Sequence, residues 1–176
     1  MHLFKLKKYY FIDQFNKNKI SHLDPKIILI WRGKYDQKSI INIQNLAEYL
    51  KKKNRKFFIS NNVKLALKLK LNGVYISAYN KDLKHNNYAL TKNFEIIGSA
   101  HDLRELQIKK IQNTKEIFLA PIFKIKKKAA IGIHKAKYLF YLFKGPKIAL
   151  GGINEKNIKL LTLSRFSGFA AINYFE

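Results

Sequence analysis

Two short segments carry the residue types best suited to holding phosphate. Phe118-Leu-Ala-Pro-Ile-Phe-Lys-Ile-Lys-Lys-Lys128 runs from an apolar stretch into a lysine-rich loop. About twenty residues later, Ile148-Ala-Leu-Gly-Gly-Ile153 ends another apolar stretch in a Gly-Gly pair. Lysines supply mobile positive charge, and paired glycines let backbone N–H groups approach an anion closely. Two such loops on neighbouring strands suit a ligand, or a pair of ligands, with two phosphorylated groups. Upstream, Trp31-Arg-Gly-Lys34 adds a third cationic turn.

These loops need a scaffold, and the hydrophobic pattern supplies one. Apolar runs at 9–12, 27–31, 57–60, 73–77, 94–98, 117–120, 148–150 and 169–172 read as buried strands. Between them, 40–52, 63–71, 102–112, 135–143 and 154–163 carry the helical period. Asp102 and Asn154 stand where helix N-caps belong. The connections 14–25 and 81–93 give weaker signals, suiting short helices or loops. Eight β/α units predict an α/β fold of the (β/α)8 TIM-barrel type in one domain spanning 1–176. The chain is short for that fold and stops after the eighth strand, so the last helix is expected to be missing. Packing there is then thin or supplied by a partner, a second copy of the chain among the candidates.

Composition narrows the function classes. Hydrophobic content of 47% with 14% aromatics is that of a folded chain. No apolar run reaches the ~18 residues of a membrane span, the basic start lacks the core of a secretory signal, and Cys is absent. A cytoplasmic protein without membrane contact, disulfides or thiolate metal sites is expected. The formal net charge is +24, yet only Arg32, Arg55, Arg104 and Arg165 among the 35 basic residues are arginines. Lysines scattered over the helices, Lys109-Lys110 included, read as a solvated coat, so nucleic acid is not the expected partner. The five histidines show no ligand spacing, and no Walker loop or G-x-S-x-G elbow occurs.

In such a barrel, chemistry sits where strands end. Those ends present Arg32 and Lys34, Asn61 and Asn62, Ser77 to Asn80, Ser99 and His101, Phe123 to Lys128, Gly151 and Gly152, and Asn173-Tyr174. Arg32, Lys34 and Lys128 at one mouth would form an anion clamp suited to a diphosphate.

The ordered set resembles the thiamine phosphate synthase/TenI family over nearly the whole chain. Tyr9-Tyr-Phe-Ile-Asp13 is similar to its first-strand Y-x-I-T-D, and Trp31-Arg-Gly-Lys34 to the end of Q-x-R-x-K. Phe58-Ile-Ser-Asn-Asn62, Leu65-Ala-Leu and Gly73-Val-Tyr-Ile follow its I-I-N-D…L-A…G-V-H-L. Ser99-Ala-His101 resembles S-x-H, Pro121-Ile-Phe123 resembles G-P-I-F, and Ala149-Leu-Gly-Gly-Ile153 resembles A-I-G-G-I. The resemblance implies a reaction in which a pyrimidine diphosphate loses pyrophosphate and a thiazole phosphate captures the resulting cation. It implies Arg32, Lys34, Asn61 and Lys128 as diphosphate ligands, with Lys128 catalytic, and Ser99 as a pyrimidine contact. Gly151 and Gly152 become the thiazole-phosphate cradle. Mg²⁺ is the implied cofactor, but its two aspartate positions are Asn62 and Asn80 here, so the protein contributes no negative charge to a metal. Ile30, Tyr75, Lys124, Ile125 and Lys127 are further departures from the family pattern.

Three functions stay open. One is a thiamine phosphate synthase-like transferase, with activity kept, weakened or lost. Another is a TenI-like isomerase or non-catalytic phosphate-ligand binder, with His101 as the proton-transfer group of the isomerase. The third is a basic scaffold that meets RNA.

Overall fold

The computed structural model describes residues 6–125, 129–172 and 174–175. The chain alternates β1 (Lys7–Ile12), α1 (Lys17–His22), β2 (Ile28–Trp31), α2 (Gln37–Lys52), β3 (Phe57–Ser60), α3 (Val63–Lys68) and β4 (Gly73–Ile76). A single 3₁₀ turn, Lys84–Asn87, then leads to β5 (Glu95–Ala100), α4 (Leu103–Ile111), β6 (Glu116–Leu119) and α5 (Gly132–Tyr141). β7 (Lys147–Leu150), α6 (Ile158–Leu163) and β8 (Gly168–Ala171) complete it. All strands are parallel and in sequence order, and the barrel closes where Lys7 to Tyr10 of β1 pair with Gly168 to Ala171 of β8. The expected TIM barrel is therefore the observed one.

Strand alternation explains why both faces are apolar. Tyr9, Phe11, Ile30, Phe58, Tyr75, Ile97, Phe118, Ile148 and Ala170 fill the barrel interior. Intervening residues such as Leu29, Trp31, Ile59 and Ile76 on one side, and Leu119 and Phe169 on the other, pack with the helices. The interior is aromatic: the Tyr75 ring lies 5.2 Å from Phe11 and 5.3 Å from Phe118, both edge-on, and Phe118 meets Tyr9 at 4.9 Å. Below this stack, the buried Glu116 carboxylate accepts from the Tyr9 hydroxyl and from Lys7. Burial, and then the Glu116 charge, push the Tyr9 phenol far above its ordinary range, so it stays a neutral donor. The polar groups at this end of the barrel are thus paired with one another.

Side-chain caps start most helices after the strands. Asp36, Asn62 and Asp102 accept from the N–H of Ser39 (2.8 Å), Leu65 (3.0 Å) and Glu105 (2.8 Å). Asn154 does not act this way. Its Oδ1 accepts from the N–H of Lys156 and Asn157 in a local turn, which delays α6 to Ile158. Among the described residues no helix follows β8. Instead Phe175 stacks on Phe169 (5.8 Å, 10°) and lies 5.4 Å from Tyr10, so the chain's own aromatics cover the outer face of β8 and β1. No helix among the described residues is long and apolar enough to cross a membrane.

Candidate functional site at the barrel mouth

The C-terminal ends of the strands form the mouth. At its β1–β2 side the Arg32 N–H donates to the Ile12 carbonyl (2.7 Å), and the guanidinium lies 5.6 Å from the Phe11 ring centroid. Arg32 and Lys34 are exposed and line one cleft of about 710 Å³, together with Asp13, Gln14 and Lys38. Arg32 and Asp13 also border a second cleft of about 570 Å³ that reaches Phe11 and Ile172. The expected cationic pair is therefore brought together, and Asp13 faces the same space. The first-strand motif contained Asp13, but nothing in the sequence singled it out as a cleft residue.

Beneath Arg32 stands Tyr75. Burial pushes its phenol up to about 12, while a hydrogen bond with Ser99 and the positive charge of Arg32 act in the opposite direction. Ser99 is buried near the end of β5.

At the β3–β4 corner Asn61 is the hub. Its backbone is left-handed (φ 58°), a conformation Asn tolerates. Its Oδ1 accepts from the Ser77 N–H (3.0 Å), the Ser77 hydroxyl (2.9 Å) and the Asn80 amide (3.1 Å), and its own amide donates to the Tyr79 hydroxyl (3.0 Å). The Asn80 Oδ1 accepts from the Asp82 N–H (2.9 Å). Asn62 takes no part in this cluster, because its Oδ1 caps α3. Both amides at the expected metal positions thus accept from backbone N–H groups and carry no charge. Among the described residues, no three His, Asp or Glu side chains gather as a metal-binding group. The donor set is a poor match for Mg²⁺, which favours anionic oxygens.

Behind Asn80 lies a residue that the sequence misleads about. Lys109 is fully buried, not part of a solvated coat. Its ammonium donates to the Asn80 carbonyl and to Gln112 Oε1, both at 2.8 Å, while the Gln112 amide donates to the carbonyls of Asn80 and Asp82. Burial lowers the Lys109 pKa to about 8, against a raising influence from Glu105. A lysine in an amphipathic helix gives no warning of this. One partner, Gln112, lies three residues on, but the Asn80 carbonyl lies 29 residues upstream and meets Lys109 only in the fold.

His101 is half-buried at the start of α4. Its Nδ1 lies 2.9 Å from Glu105 Oε2, which also accepts its backbone N–H (2.6 Å). The carboxylate fixes the ring orientation, the arrangement by which an imidazole is prepared for proton transfer at Nε2.

Gly151 (φ 92°) and Gly152 (φ 72°) turn back against the loop after β6. A Cβ on Gly151 would meet the Pro121 Cβ at 2.8 Å, and one on Gly152 would meet the Phe123 carbonyl oxygen at 2.8 Å. Ile122 N–H to Leu150 O (2.9 Å) and Phe123 N–H to Gly151 O (3.1 Å) hold that approach. Among the described residues, the N–H groups of Gly151, Gly152 and Ile153 have no protein acceptor. Lys128 and Asn173 lie outside the described residues.

A family model described as thiamine monophosphate synthase matches residues 25–175. The chain belongs to this family. The family resemblance read from the strand-end motifs is thereby confirmed. The thiamine-phosphate synthase of Prochlorococcus marinus is 29% identical over 142 residues, covering 78% of this chain and 41% of the relative. The match thus spans less than half the length of that relative. Among solved structures, thiamine phosphate pyrophosphorylase from Pyrococcus furiosus superposes with a TM-score of 0.73 at 18% identity, covering 96% of this chain and 86% of that one. The Bacteroides thetaiotaomicron thiamine phosphate pyrophosphorylase gives 0.66 at 18% identity, covering 97% and 84%. FabK from Thermotoga maritima reaches 0.69 at 12% identity, covering 98% of this chain and 60% of that one. Structural likeness at these identities speaks for the barrel, and family membership rests on the sequence.

Proposed function

We propose that the barrel mouth binds a pyrimidine diphosphate and a thiazole phosphate and joins them into thiamine phosphate. The observation that carries this reading is the row of acceptor-free N–H groups at Gly151, Gly152 and Ile153. The two glycines sit where no Cβ fits, just after β7, and Arg32 and Lys34 follow β2 at the same end of the barrel. The N–H row suits the thiazole monophosphate. Arg32 and Lys34, with Lys128 from the loop after β6, suit the diphosphate.

In the reaction, the C–O bond between the pyrimidine methylene and the diphosphate breaks, and both electrons leave on the oxygen. The thiazole nitrogen then donates its lone pair to the carbon. No group is oxidised or reduced. The protein's task is to place the two ligands in line and to stabilise negative charge growing on the leaving group. Arg32 above the Phe11 ring is positioned for that charge, and the buried aromatic stack keeps water away from the cation from below.

Two tests address the two halves of the site. Thiazole phosphate is expected to bind more tightly than inorganic phosphate in calorimetric titration, and equal affinities would contradict the proposed cradle. Arg32→Ala is expected to weaken pyrimidine diphosphate binding by about 2–3 kcal/mol, on the order of a hundredfold, with thiazole phosphate affinity unchanged. An equal loss for both ligands would show that Arg32 does not address the diphosphate.

The Glu105-oriented imidazole favours a second reading, isomerisation of thiazole phosphate through proton transfer at His101. This activity would exchange a ligand proton with deuterated water and would vanish in His101→Gln. Synthesis of thiamine phosphate would survive that substitution.

A further inference from the structure

We propose that the β3–β4 corner is an amide lattice suited to working without a divalent cation, so that a diphosphate in the mouth is held by protein cations alone. The inference rests on the proposed diphosphate site and specifies how that site operates.

Its support is the direction of each hydrogen bond. The Ser77 N–H can only donate, and it points at Asn61 Oδ1 (3.0 Å), which fixes the Asn61 amide orientation. The Asp82 N–H likewise fixes Asn80 Oδ1 (2.9 Å), leaving the Asn80 NH₂ to face Asn61 Oδ1 at 3.1 Å. The atom of residue 80 that faces Asn61 must therefore be a donor. A carboxylate at position 80 would set oxygen against oxygen across that distance, and Asn61 could not turn over without setting its NH₂ against the Ser77 N–H. Asn80 is thus matched to its neighbours, and the match excludes aspartate in this arrangement.

Charge acts in the same direction. The Lys109 ammonium, 2.8 Å from the Asn80 carbonyl, places a buried positive charge directly behind this corner. A metal ion in front of Asn80 would be repelled by it. Asp82, the acid in the same loop, accepts the Lys84 N–H (2.8 Å), and Glu105 is paired with His101. The Asn62 oxygen is the α3 cap. The amide oxygens of this corner are all engaged as acceptors, and the ammonium behind it opposes a cation.

The test titrates the wild-type protein with pyrophosphate in EDTA and again in millimolar Mg²⁺, alongside a Mn²⁺ titration read by electron paramagnetic resonance. Pyrophosphate is expected to bind in EDTA. Added Mg²⁺ is expected to leave the apparent affinity unchanged or weaker, since the ion sequesters pyrophosphate in solution, and Mn²⁺ alone is expected not to bind. Asn80→Asp should melt below Asn80→Ala in EDTA, because only the aspartate opposes Asn61 Oδ1 with a charged acceptor. A tenfold or greater tightening by Mg²⁺, or stoichiometric Mn²⁺ on the wild type, would overturn the inference. Failure of pyrophosphate to bind in either buffer would remove the diphosphate site itself, and the inference with it.

Discussion

Gly152→Ala is expected to lower stability by about 2–4 kcal/mol and to abolish tight thiazole phosphate binding. The left-handed backbone at φ 72° costs a non-glycine residue ~1–2 kcal/mol. The new methyl would also sit 2.8 Å from both the Phe123 carbonyl oxygen and its Cβ. Such overpacking adds about 1–3 kcal/mol. The loop cannot easily retreat, because Ile122 and Phe123 are hydrogen-bonded to Leu150 and Gly151. Gly132 is the internal control: its φ is 76°, but a Cβ there would meet nothing within 4 Å. Gly132→Ala should therefore show only the backbone cost, about 1 kcal/mol. Urea unfolding midpoints at unchanged slope measure both. Equal losses for the two variants would show that the contact with the β6 loop is unimportant.

Lys109→Ala is expected to cost about 3 kcal/mol at neutral pH. It leaves a cavity under α4, strips a partner from Gln112 Oε1, and loosens the loop that carries Asn80. The pH dependence identifies the cause. A lysine lowered to about 8 in the fold, from 10.5 when exposed, is neutral in the native state above pH 8 while the unfolded chain still binds the proton. Below pH 8 both states are protonated, and the cost of burying the charge is fully present. Stability contributed by this group therefore falls by no further amount below pH 8 and rises with pH between about 8 and 10.5, where the unfolded state binds more protons. Lys109→Met should flatten that rise, relative to wild type, in urea titrations across the window. An unchanged profile would mean that Lys109 does not titrate there.

The two residues illustrate what the sequence reveals and what it hides. Gly152 is legible because a Gly-Gly pair closing an apolar run marks a turn too tight for side chains, and the fold places it against Phe123 in that way. The eight strands are legible for a related reason. A barrel strand buried on both faces must be a continuous apolar run, so Phe57–Ser60 and Gly73–Ile76 announce themselves. Lys109 is hidden because its helix carries exposed basic residues as well, and the Asn80 carbonyl that it bonds arrives from the loop after β4. The Asn61 lattice is half visible. Asn61, Asn62 and Asn80 mark strand ends, but nothing in their spacing shows that Asn62 caps a helix while Asn61 and Asn80 bond to each other. Asn154 fails as a cap for a local reason, the competing turn with Lys156 and Asn157.

The most direct test of the central claim is a single-turnover reaction at stoichiometric protein, with pyrimidine diphosphate and thiazole phosphate in EDTA, followed by chromatography. Formation of thiamine phosphate and an equal amount of pyrophosphate is the expected result. Binding of both ligands without any thiamine phosphate, in EDTA or in Mg²⁺, would contradict it.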